Sequence, residues 1–167
     1  MKQDAHTLYL VRHALAEERG DEWPDDTKRP LTPKGAARFR KVVRGLRELG
    51  VLVDVVVTSP LVRAKQTAEL LVAGLKPAPA LAVSSALAPG VAPAQVAEAL
   101  AHFKKPRRIA LVGHEPGLGE LAAWLVGTKT PIAFKKGGVC RIDVAALPPS
   151  GGHLIWMATP GMLRRIS

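Results

Sequence analysis

Four side chains in this sequence are of types that can hold or accept a phosphoryl group, and each follows an apolar run. Arg12 and His13 close the run Thr7–Val11, Arg63 follows Thr58-Ser59-Pro60 after Val51–Val57, and His114 follows Gly113 after Arg108–Val112. A neutral imidazole is a nucleophile at physiological pH. A guanidinium forks onto two oxygens of one phosphate. Phosphoryl transfer asks for an in-line nucleophile and fixed positive groups around the equatorial oxygens. In this reading His13 attacks phosphorus through one ring nitrogen while a backbone carbonyl holds the other. Arg12 and Arg63 grip the oxygens, and a protonated His114 adds a donor. The product is a phosphohistidine enzyme that water later hydrolyses. The guanidinium groups do the neutralising, so no metal or other cofactor is called for. Alone, an Arg-His pair at a strand end is an ordinary surface pair; its recurrence with Arg63 and His114 gives it chemical meaning.

Those residues need a scaffold that brings their strand ends together. Apolar runs free of Gly and Pro read as strands buried on both faces. Helical patterns follow them. Thr32 is an N-cap with Pro33 at the first position of a helix running to Gly50. A second helix carries Arg63 in its first turn and closes at Gly74; its free N–H groups suit an anion. A third spans Pro93–Phe103, and a fourth carries Leu118, Leu121, Leu125 and Val126. Strands alternating with helices predict an α/β fold, a three-layer α/β/α sandwich around a mostly parallel, doubly wound sheet. The carboxyl ends of its strands share one edge, where ligands bind. Leu81–Val83 is a short extended piece. Gly138–Ala145 and His153–Thr159, joined across Leu147–Gly152, predict an antiparallel edge. Gly161–Ser167 reads as a short tail. The polar stretch Leu15–Pro30 reads as a long loop leaving the site end of the first strand, placed to fold over the site.

The chain of 167 residues is expected to form one domain over 1–167, long enough to bury a core without staples. Its formal charge of +10 favours anionic partners. One Tyr, three Phe and three Trp are few for a nucleic-acid stacking platform, so nucleic acid is not the expected partner. The single cysteine, Cys140, allows no intramolecular disulfide, fits a reducing compartment, and reads as a small buried strand residue. The start Met1–His6 shows no signal peptide and no run reaches membrane-span length, so a cytoplasmic protein without membrane contact is expected. His6, His102 and His153 have no motif context, and no metal-ligand spacing is present.

Taken together, the motifs resemble those of the histidine phosphatase (phosphoglycerate mutase-like) superfamily, and within it the SixA-type phosphohistidine phosphatases. Leu10-Val11-Arg12-His13-Ala14 is similar to the Arg-His-Gly signature. Asp26-Thr27-Lys28-Arg29-Pro30-Leu31-Thr32 with Gly35, then Ser59-Pro60 with Arg63-Ala64 and Gln66-Thr67, then Val112-Gly113-His114, follow in the same order. The ending Trp156–Gly161 is also similar. The resemblance implies a phosphoglycerate mutase-like fold, with His13 as nucleophile and Arg12, Arg63 and His114 as phosphate ligands. Asp26, Arg29 and Ser59 are implied to line the same pocket. Two departures stand out. Ala14 replaces the signature Gly, which is tolerable unless that residue needs a positive φ. Larger members carry a Glu general acid after the third extended piece, where Ser84–Pro89 has no carboxylate. Glu17, Glu18 and Glu115 are the candidate substitutes. General acids supply ~10²–10⁴-fold, so the chain is expected to favour substrates with good leaving groups, phosphohistidine of a protein above all. The alternatives are a phosphatase of small phosphate esters or anhydrides, such as nucleotide or sugar phosphates, and a non-catalytic phosphoprotein-binding module.

Overall fold

The computed structural model describes residues 5–167; Met1–Asp4, part of the start read above as lacking a signal peptide, lie outside them. Strand β1 (His6–Arg12) leads through the loop to helix α1 (Pro33–Glu48), followed by β2 (Val55–Thr58), α2 (Val62–Gly74) and β3 (Ala80–Val83). Next come α3 (Pro93–Ala99), β4 (Arg108–Gly113), α4 (Gly117–Val126), β5 (Val139–Val144), β6 (Gly152–Ala158) and α5 (Pro160–Ile166). The strands form one sheet in the order β3-β2-β4-β1-β5-β6. β1, β2, β3 and β4 pair in parallel, whereas β5 pairs antiparallel with both β1 and β6. The expected α/β/α sandwich with an antiparallel edge is therefore what forms.

The layers follow from period-two alternation in the central strands. Tyr9 and Val11 of β1 and Val56 of β2 pack with Phe39, Leu46, Leu71 and Leu163 from α1, α2 and α5. Leu8, Leu10, Val55 and Val57 point the other way, against Val96, Leu121 and Leu125 from α3 and α4. Because both faces are covered, the strands read as continuous apolar runs. Cys140 is buried in the second layer, and burial pushes its thiol up to about 12. Among the described residues no helix is long and apolar enough to cross a membrane.

Three expectations change. The second strand is shorter than Val51–Val57: Val51 and Val53 are buried but lie ahead of β2, whose ladder with β4 starts at Val55. Asp54, just before it, takes the N–H groups of Arg107 and Arg108 on its carboxylate at 3.0 and 2.8 Å. The third helix ends at Ala99 and continues as a 3₁₀ turn over Leu100–Phe103. The tail is not a tail but α5, whose Thr159 Oγ1 accepts the Met162 N–H at 3.2 Å and whose Leu163 is fully buried. Its start, Thr159-Pro160, repeats the Thr32-Pro33 signal that opens α1. The packing of α5 on α1 is close enough that a Cβ at Gly45 would collide with the Leu163 carbonyl.

Candidate active site

Sheet register, more than sequence proximity, assembles the site. β1 and β4 pair with Arg12 opposite Gly113, so the next residues, His13 and His114, leave the sheet side by side. The ladder runs one step past the strands: the His13 N–H donates to the Gly113 carbonyl and the Ser59 N–H to the Val112 carbonyl, both at 3.0 Å. Past β1 the chain turns to α1 on one face, and past β4 to α4 on the other. The opening between these diverging connections is the usual ligand position of such sheets. The two imidazoles lie there with ring centroids 5.2 Å apart and planes tilted by 53°. His13, Ser59, Arg63 and His114 are all buried, and Arg12 is half-buried.

His13 is oriented by its neighbour. Its Nδ1 lies 2.7 Å from the Ala14 carbonyl oxygen, which can only accept, so the ring proton is on Nδ1 and the Nε2 lone pair is free. Ala14 is itself held, its N–H donating at 3.0 Å to Thr67 Oγ1, whose hydroxyl donates at 2.7 Å to the Arg63 carbonyl. Among the described residues no non-glycine has positive φ, so Ala14 fills the signature glycine's place without strain.

His114 is fixed by Ser59, whose Oγ is 2.7 Å from Nε2. Ser59 Oγ also accepts the Leu61 N–H at 3.3 Å and keeps a proton and a second lone pair; with that proton on Nε2, His114 keeps a donor on its other nitrogen. The neutral ring then carries its hydrogen on Nδ1, a buried atom with no partner. Arg12 and Arg63 show the same pattern. Arg12 Nη1 donates to the Phe134 carbonyl at 2.7 Å, while both terminal nitrogens of Arg63 are taken by Asp26, and the buried Nε of each arginine is unpartnered. These three nitrogens are the only such buried side-chain atoms among the described residues, and buried donors without acceptors are costly.

Electrostatically the pocket keeps its histidines neutral. Burial lowers His13 to about 3, against the opposing pull of the Ala14 carbonyl; His114, Arg63 and Arg12 push it further down. Burial also lowers His114 to about 4, with Arg63 adding to the shift and Asp26 opposing it. A protonated His114 is thus not the resting state, and its donor is the neutral Nδ1–H. Burial lowers Arg12 and Arg63 as well.

The loop Leu15–Pro30 does close on the site. A 3₁₀ turn, Asp26–Lys28, brings Asp26 to Arg63, and Arg29 Nε donates to Asp26 Oδ1 at 2.8 Å. The Arg29 hydrogen bond holds the Asp26 carboxyl below its ordinary range, with Arg63 adding to it. Arg29 Nη1 also donates to the Glu17 carbonyl at 2.6 Å, so this arginine braces the loop. Gly35 lets the first turn of α1 reach the Leu15 carbonyl, where a Cβ would collide. Gln66 Oε1 accepts the Leu31 N–H at 2.8 Å, tying the loop's far end to α2. The sequence offered Gln66 and Thr67 only as motif letters; here both are fasteners.

Of the substitute acids, Glu18 is exposed, while Glu115 accepts the Phe134 N–H at 2.8 Å and the Gly119 N–H at 3.3 Å. Glu115 therefore holds Phe134, the residue whose carbonyl holds Arg12, a role no sequence pattern announces. The space beside His114 is walled by Ala86, Leu87, Ala88 and Pro89, with no carboxylate. No group of three or more His, Cys, Asp or Glu among the described residues is placed to hold a metal.

The sheet's carboxyl edge thus gathers two neutral histidines with Arg12 from the end of β1 and Arg63 from the first turn of α2, a cationic setting suited to an anion. A family model for the histidine phosphatase superfamily (branch 1) matches residues 8–87, the stretch from β1 through the 3₁₀ turn after β3. An uncharacterised protein of Picosynechococcus sp. is 39% identical over 146 residues, 83% of this chain and 86% of its own. The chain belongs to the histidine phosphatase superfamily. In fold it is similar to the protein histidine phosphatase SixA complexed with tungstate, with TM-score 0.82 and 24% identity over 93% of this chain and 97% of that one. It is also similar to the alpha-ribazole phosphatase of Shigella flexneri, with TM-score 0.70 and 17% identity over 92% and 96% of the two chains.

Proposed function

We propose that this protein hydrolyses phosphohistidine in a partner protein through a covalent phosphohistidine formed on His13. The observation that carries the reading is the set of three buried, unpartnered nitrogens, Arg12 Nε, Arg63 Nε and His114 Nδ1, around an imidazole whose Nε2 is free. A phosphoryl group supplies acceptors for all three donors at once. Metal-independent hydrolysis is part of the proposal, with the two guanidinium groups neutralising the phosphoryl oxygens.

In the first step His13 Nε2 attacks phosphorus as the bond to the leaving group breaks. The proton stays on Nδ1, donated to the Ala14 carbonyl, so the phosphorylated ring is cationic and a good leaving group in turn. Water then attacks phosphorus, His13 leaves neutral, and the water's protons depart with inorganic phosphate. Ser59 acts through His114, and Asp26 and Arg29 through Arg63.

The substrate preference follows from the carboxylate-free wall at Ala86–Pro89. An alkoxide must be protonated as it leaves, and nothing there supplies the proton. A substrate imidazole protonated on its far nitrogen leaves neutral without help. The fold likeness to SixA is consistent with this choice, and the likeness to alpha-ribazole phosphatase keeps small phosphate esters as the competing substrates.

The test is a comparison of initial rates on a phosphohistidine peptide, an aryl phosphate and an alkyl phosphate, with wild type and His13→Ala. We expect the phosphohistidine and aryl substrates to be turned over, the alkyl ester poorly, and His13→Ala to lose all turnover while still binding phosphate. A preference for the alkyl ester would overturn the substrate assignment; unchanged turnover in His13→Ala would overturn the nucleophile.

A further inference from the structure

A second cationic feature borders the site on its β5–β6 side, away from Arg63 and Asp26. The turn Lys135–Gly137, the stripe of α1 that carries Gly35, Arg38, Phe39 and Val42, and the start of α5 enclose a cleft of about 370 Å³. Its charged lining is Arg38, Lys135, Lys136 and Arg164, with no carboxylate. We propose that this cleft is a docking subsite for acidic side chains of the phosphorylated protein, close to the residue being dephosphorylated. The proposal rests on the reading of His13 as phosphoryl acceptor.

Three observations support it. First, the cleft abuts the nucleophile. Ala14 and Leu15 form part of its wall, and the Gly137 N–H lies 3.1 Å from the carbonyls of both Arg12 and His13. A polypeptide with its phosphoryl group at His13 therefore has neighbouring side chains within reach of the cleft. Second, the four cations are unspent. None forms an ion pair among the described residues, whereas Arg19, Arg29 and Arg63 all share Asp26. Like charges gathered in one cleft repel unless an anion joins them.

Third, the charge is polarised across the mouth. The loop that reaches Arg63 on the β2 side carries Glu17, Glu18, Asp21, Glu22, Asp25 and Asp26 against Arg19, Lys28 and Arg29, a net charge of −3. An acidic segment is repelled there and attracted towards β6, which sets the direction in which it lies. Arg38, Lys135 and Lys136 are exposed, so the cleft is open to a side chain still attached to its backbone. Such flexible, spaced cations suit several carboxylates better than one tightly gripped phosphate.

The experiment pairs binding with turnover. A fluorescent, unphosphorylated peptide rich in Asp and Glu is titrated against wild type, His13→Ala and the double variant Lys135→Glu/Lys136→Glu. Turnover is measured on an aryl phosphate and on phosphohistidine peptides with acidic or neutral flanks. We expect wild type and His13→Ala to bind the acidic peptide alike and the double variant to bind it at least about tenfold more weakly. The acidic-flank preference in KM should vanish in the double variant while aryl phosphate turnover stays unchanged. Equal acidic-peptide binding by wild type and the double variant overturns the subsite. So does a wild type that processes the two phosphopeptides equally. If binding behaves as expected but neither phosphopeptide nor aryl phosphate is turned over, the cleft stands as an acidic-peptide site, while the phosphatase reading and the docking role built on it both fall.

Discussion

Asp26 grips Arg63 at two points. Its backbone carbonyl accepts from Nη1 at 2.8 Å and its Oδ2 from Nη2 at 3.0 Å. A residue on the loop after β1 thereby sets the guanidinium plane of a residue on α2 and leaves Nε as its free donor. Arg29 holds the same carboxylate from the other side.

Removing that carboxylate should loosen Arg63 without touching His13. For Asp26→Ala we expect kcat/KM on an aryl phosphate to fall roughly 10–100-fold, the scale on which small misplacements of binding groups act. Inorganic phosphate should inhibit more weakly by a similar factor. Steady-state kinetics and phosphate inhibition check this; an unchanged inhibition constant would show that Asp26 does not position Arg63.

Ser59→Ala removes the hydroxyl that directs its proton to His114 Nε2. The ring is then free to place its own proton on Nε2, away from the phosphoryl position. We expect kcat/KM to drop about tenfold, less than the ~10²–10³-fold reported for losing an oxyanion donor outright. Imidazole ¹⁵N shifts should show the His114 tautomer changing, which a purely packing role for Ser59 would not produce.

The two buried rings make stability depend on pH. Their folded values, about 3 for His13 and about 4 for His114, lie below the ordinary 6.5. As pH falls below 6.5 the unfolded chain takes up protons first, so the contribution is complete above that value and declines towards pH 3–4. Each ring adds a slope of up to ~1.4 kcal/mol per pH unit across that window. Urea midpoints between about pH 7 and 5 should fall for wild type and fall less steeply for His13→Asn. Identical slopes would mean that His13 titrates normally.

Gly45→Ala tests the α1–α5 contact. The added Cβ meets the Leu163 carbonyl, and backbone there cannot yield as a side chain tip would. Overpacking of this kind costs about 1–3 kcal/mol. Urea denaturation should register the loss, while aryl phosphate turnover per folded molecule stays near wild type.

Much of this was legible in the sequence because it depends on local rules. Thr32-Pro33 marks the start of α1, and the cap bond from the Gly35 N–H to Thr32 Oγ1 at 2.8 Å is the physical form of that signal. Thr159-Pro160 carries the same signal and begins α5, whose 7 residues are too few for helical periodicity to show. The early beginning given to the second strand arose because Val51 and Val53 are as buried as strand residues while their backbone stays outside the ladder.

Residue types and order alone determined the alternation of strands and helices, the placing of Arg12-His13, Arg63 and His114 at strand ends or helix starts, and the absence of a carboxylate in Ser84–Pro89. Tertiary structure decided the rest. Which nitrogen of His13 is free depends on a carbonyl 2.7 Å away, and the directions of Arg12 and Arg63 depend on Phe134 and Asp26. Those partners stand 122 and 37 positions away from the arginines they hold. Periodicity reports which face of an element is apolar, but a hydrogen bond between distant segments exists only once strand register has set them at contact distance.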